Sequence, residues 1–106
     1  MGLVNVYENE QRERIVARVK YNSRLDHWDG HNWTSGGVGL HLGITRLRDG
    51  RMVLIYGTQW QGSRDYAVVA SDDEALQAIL DNNASELDNW PHLKALAEKT
   101  IAAEAK

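Results

Sequence analysis

The sequence predicts an α+β domain, because strand-like segments come first and helix-like segments last. Three observations carry this. "RIVARVKY" at residues 14–21 alternates with a period of two. An Asp49-Gly50 pair stands between two apolar runs. "SDDEALQAIL" at residues 71–80 opens as a capped helix. The expected architecture is a mostly antiparallel sheet of about four strands, with two C-terminal helices on one face. The length suits a single domain over residues 1–106.

The elements follow in order. Leu3 to Tyr7 reads as a short strand before a turn. In "RIVARVKY", the alternation places Ile15, Ala17, Val19 and Tyr21 on the buried side, and Arg14, Val16, Arg18 and Lys20 on the other. Asp49-Gly50 predicts a hairpin with a two-residue turn, so that Arg48 faces Arg51, Thr45 meets Leu54 and His41 meets Thr58. Both faces of that hairpin are apolar, which suits strands covered on both sides. "YAVVA" at 66–70 is one more strand. Ser71 and Glu74 form a capping box, and Ala75, Leu76, Ile79 and Leu80 make one helical face ending near Asn82-Asn83. "ASELDN" is an irregular link. Pro91 opens the second helix, with Leu93, Leu96, Ala97 and Ile101 as its stripe and Trp90 packing at its start.

Composition excludes several classes of function. There is no Cys, hence no disulfide, thiol chemistry or zinc-thiolate site. No apolar run approaches membrane-spanning length, and no basic-then-apolar leader is evident, so the expectation is a soluble cytoplasmic protein. The net charge is −3 and uneven. Residues 1–66 carry nine Lys/Arg against seven Asp/Glu, and residues 67–106 carry three against eight. Neither part is extreme enough to name a partner. Phe is absent while Trp and Tyr number four each, so every phenyl or indole ring carries a polar handle suited to half-buried positions and interfaces.

The chemistry concentrates in "SRLDHWDGHNWTSGGVGLH", residues 23–41, a segment with two Trp, three His and four Gly and no regular period. Closing the hairpin at Asp49-Gly50 sends this segment and "GTQWQGSRD", residues 57–65, to the far rim of the sheet. The candidate binding residues there are Trp28, His31, Trp33, His41, Gln59, Trp60, Gln61, Arg64 and Asp65. Trp, Tyr and Arg are the residues that most often anchor interfaces, so the favoured expectation is a non-enzymatic module that recognises a protein partner, of inhibitor or adaptor type.

Other readings compete. Arg14, Arg18 and Lys20 share a predicted strand face and Arg46, Arg48 and Arg51 crowd the hairpin end, a pattern that could track the backbone of single-stranded nucleic acid while Trp stacks on bases. Asp26, His27, Asp29 and His31 have the donor types for a divalent ion, but Gly30 breaks the helix that such a spacing needs, so no metal or cofactor is expected. His41 with Asp65 or Asp29 could serve acid–base chemistry in a small metal- or His-dependent enzyme, but no nucleophile or phosphate-loop motif accompanies it. The apolar second face of the hairpin could also pair with a like subunit.

Overall fold

The computed structural model describes residues 3–9, 11–28, 33–34, 40–58 and 65–104. Among these residues, seven strands precede the helices. They are β1 (Leu3–Tyr7), β2 (Ile15–Lys20), β3 (His27–Trp28), β4 (Trp33–Thr34), β5 (Leu40–Arg46), β6 (Met52–Thr58) and β7 (Tyr66–Ala70). Helix α1 (Asp72–Asn82), a 3₁₀ segment (Ala84–Asn89) and helix α2 (Pro91–Glu104) follow. The main sheet has five strands in the order β2-β1-β7-β6-β5, and β3 and β4 form a separate two-stranded ladder. All pairings are antiparallel except β1 with β7, which is parallel. The fold is α+β as expected, with one more strand in the main sheet.

The sheet is buried on both faces, by different means. On one face Leu42, Ile44, Met52, Leu54 and Ala70 pack with Ala75, Leu76 and Ile79 of α1 and Leu93 of α2. Trp90, Leu96 and Ala97 join from the edge of this cluster. Leu80 does not belong to it and is 47% exposed, because the contact stripe of α1 closes at Ile79. The capping box at Ser71 and Glu74 is complete, each side chain bonding the other's backbone N–H at 3.1 Å. On the opposite face Val4, Val6, Val53, Ile55 and Ala67 form a second cluster, sealed by Val16, Ala17, Val19, Tyr21 and Leu47. The seal comes from β2, its continuation and the hairpin tip, so the sheet curls over its own face.

Two registers differ from the expected ones. In β2, Tyr7 pairs with Ile15 and Val6 with Ala17, leaving Val16 as an extra residue in a β-bulge. A bulge turns two successive side chains to one side. Val16 therefore joins Ala17 on the second cluster, while Ile15 is 51% exposed. Arg14, whose carbonyl accepts from Glu8 N–H, is separated by the bulge from Arg18 and Lys20 and does not share their face. At Asp49-Gly50 the loop holds three residues, 48–50, with Leu47 N–H bonded to Arg51 O and Gly50 N–H to Leu47 O. Gly50 takes φ +98°, and Asp49 is not among the described residues with positive φ. A two-residue type I′ turn needs both central residues there, so the chain takes the three-residue bulged turn instead. The Asp49 carboxyl, held by Arg51's backbone N–H, is kept below its ordinary pKa. The ladder slips by one: Thr45 faces Val53 and Ile44 faces Leu54, and His41 faces Gly57 rather than Thr58. That slip places Leu42, Ile44, Met52 and Leu54 together under the helices.

Candidate functional site

The rim opposite the hairpin turn is set by two pairings. Leu40 faces Thr58, and Tyr56 faces Tyr66. The segments before Leu40 and after Thr58 therefore start from one end of the sheet, as the sequence expects. His31, Gln59, Trp60, Gln61 and Arg64 lie outside the described residues. Trp28 sits directly opposite Trp33 in the β3–β4 ladder, so the two positions share one face of it.

His41 and Asp65 belong to the described part of this rim, and His41 is held by a residue from another segment. Its Nδ1 lies 2.5 Å from Oδ2 of Asp26, a carboxylate that is 7% exposed. The other oxygen of Asp26 accepts the Leu42 backbone N–H at 2.8 Å. Both carboxylate oxygens are thus used, and the imidazole is fixed in orientation. Asp65, one of the two partners expected from sequence, does not fill this position. Asp65 is exposed, and Asp29 lies outside the described residues.

Asp26 reaches His41 because residues 21–26 cross the sheet as a strap. The strap leaves β2 and passes over Gly57 and Gly43. A Cβ on Gly57 would fall 2.7 Å from Cε2 of the Tyr21 ring, and one on Gly43 would fall 2.8 Å from the Asn22 carbonyl carbon. Both are closer than a Cβ comes to other heavy atoms, and at Gly43 the obstacle is the Asn22 backbone, so only glycine admits the crossing there. The strap then docks on the outer edge of β5. Ile44 N–H donates to Asn22 Oδ1 and Asn22 Nδ2 donates to Ile44 O, each at 3.1 Å. Leu25 N–H donates to Leu42 O at 3.0 Å. Leu25 itself is fully buried in the helix-side cluster. On its other side the strap meets the helical layer, where Asn83 Nδ2 donates to Arg24 O at 3.0 Å and Arg24 lies 3.8 Å from the nearly buried Glu86 carboxylate.

Tyr21 completes the described rim. Burial pushes its phenol above the ordinary value, and the charges of Asp65 and Asp26 push it further. Tyr21, Asp26, His41 and Asp65 therefore form one electrostatic neighbourhood. Sequence reasoning placed His41 and Asp65 here and missed Tyr21 and Asn22. It had Asp26 only as a candidate metal ligand. The one legible trace was a glycine inside each hairpin strand, since such a glycine marks close backbone approach.

The Asp26–His41 pair has the shape used for acid–base chemistry, and Asp26 also holds the strap to the β5 edge through the Leu42 N–H. Among the described residues no three His, Asp or Glu side chains gather as a metal site. Of the basic residues, Arg18, Arg48 and Arg51 line one groove between β2 and the hairpin tip. Arg18 bonds across to Asn5, Arg46 to Gly50 O, and Arg51 to Asp49. Among the described residues, no helix is long and apolar enough to cross a membrane. No family model matches the chain, and neither does a curated protein or a solved structure.

Proposed function

We propose that this chain is a cytoplasmic, non-enzymatic binding module that recognises a protein partner through the rim built from residues 24–41 and 57–65. The observation that supports it is the pairing of Leu40 with Thr58, which starts both glycine- and tryptophan-bearing segments from one end of a rigid sheet. Segments carried at the end of a sheet are a usual setting for recognition. Trp28, Trp33 and Trp60 supply the anchoring surface, while Gln59, Gln61 and Arg64 supply directed hydrogen bonds. The Asp26–His41 pair keeps the base of the first segment fixed against β5.

The test is capture from the native host with the tagged chain, read by mass spectrometry, using wild type, Trp60→Ala and Arg64→Ala. A protein retained by wild type and lost with Arg64→Ala, at an unchanged melting temperature, supports the reading. Equal retention by all three chains refutes it.

A further inference from the structure

The curl of the sheet closes at the rim and stays open at the hairpin end. At the rim, Tyr21 and Asn22 seal β2's continuation onto β6 and β5. At the other end a groove of about 440 Å³ separates β2 from the hairpin tip. Its lining includes apolar Val16, Ala17 and Leu47 and cationic Arg18, Arg48 and Arg51. The bulge in β2 is what aims Val16 and Ala17 together at this side. β2 is also the terminal strand of the sheet, and among the described residues no backbone bond reaches its outer edge.

We infer that this groove receives an extended, acidic segment of a partner protein, which adds to β2 as a sixth strand. A bare strand edge offers main-chain donors and acceptors to such a segment, and flanking pockets read its alternate side chains. Charge selects an acidic sequence. Arg51 is paired with Asp49 and Arg18 with Asn5, but Arg48 has no ion-pair partner among the described residues. Among the described residues the lining carries three arginines against the one carboxylate of Asp49. An apolar residue of the segment sits over Val16 and Ala17 while its neighbouring carboxylate reaches Arg48.

A second copy of the chain does not supply this segment. Its carboxylate-rich stretch, Asp72 to Glu74 and Asp81 to Asp88, is folded into α1 and the 3₁₀ segment. Single-stranded nucleic acid fits less well, because among the described residues the lining holds no aromatic ring on which a base could stack, and the whole chain is net negative. This surface is separate from the rim and stands or falls without it.

The experiment selects a random library of peptides of about ten residues on the intact protein. Enriched peptides are then synthesised with a fluorophore and titrated at low salt against wild type, Arg48→Lys and Arg48→Glu, beside a thymidine oligonucleotide of similar length. Circular dichroism melts confirm that the variants are folded. The expected result is enrichment of Asp or Glu alternating with apolar residues, and amide shifts confined to residues 14–18 and 47–51. Arg48→Glu should weaken binding about tenfold while Arg48→Lys largely retains it. The inference is overturned if selection enriches nothing or shows no acidic bias. It is also overturned if Arg48→Glu binds equally well, if the shifts fall elsewhere, or if the oligonucleotide binds more tightly than the peptides.

Discussion

Replacing Asp26 tests the strap directly. In Asp26→Ala the Leu42 N–H loses its acceptor beneath the strap, and a buried unpaired donor costs about 1–3 kcal/mol. His41 loses a short contact to a carboxylate, worth about 1.5–3 kcal/mol for a bond to a charged group. Together these give a loss of roughly 2.5–6 kcal/mol, which spans the range for breaking a buried pair from one side. At roughly 4 °C per kcal/mol for a domain of this size, the melting temperature falls by about 10–24 °C. Asp26→Asn keeps an acceptor for Leu42 and replaces only the charged bond, so it costs about 1–2 kcal/mol. The assay is urea and thermal unfolding of the three chains by circular dichroism, with amide hydrogen exchange at Leu42 as the local readout. Exchange at Leu42 should accelerate in the alanine variant and stay near wild type in the asparagine variant. If Asp26→Ala costs less than about 1 kcal/mol, or if the two variants are equally destabilised, the strap is not held in this way.

Other consequences are as direct. Gly43→Ala drives a Cβ into the Asn22 backbone and should cost about 1–3 kcal/mol by overpacking, with exchange accelerated at Ile44; a melt within a few degrees of wild type contradicts the crossing. Ser71→Ala removes half of the capping box and should cost about 1 kcal/mol, read as a lower urea midpoint with unchanged slope. Tyr21 should titrate above the ordinary tyrosine value by ultraviolet absorbance, since burial raises its pKa first and Asp65 and Asp26 add to it. The neutral phenol is the form the fold favours. Its contribution is complete below the unfolded value near pH 10 and is lost as pH rises through the raised value. Asp65→Asn should lower this titration part of the way, leaving the effects of burial and Asp26.

What the sequence could tell followed the range of the interactions. Local chemistry was legible: the Ser71 and Glu74 cap, the strands at 3–7 and 66–70, and the existence of the hairpin. The phase of β2 was not, because Ile15, Val16 and Ala17 are all apolar and a bulge can assign any adjacent two of them inward. The hairpin register was missed because Asp-Gly serves both a two-residue and a three-residue turn, and only φ distinguishes them. At the site, His41 was recognised as a chemical group but was not matched with Asp26. Its partner Asp26 is fifteen residues away, and it arrives through a crossing whose only local mark is a missing Cβ at Gly43 and Gly57.

The amide of Asn22 has a consequence for solubility. It occupies both backbone positions that Ile44 would offer to a neighbouring molecule, while the terminal strand on the far side of the sheet keeps its own positions vacant among the described residues. A sheet with two receptive borders can stack without limit into a fibre. With one border occupied internally, growth stops after a single addition, so the fold can accept one visiting strand and still not polymerise.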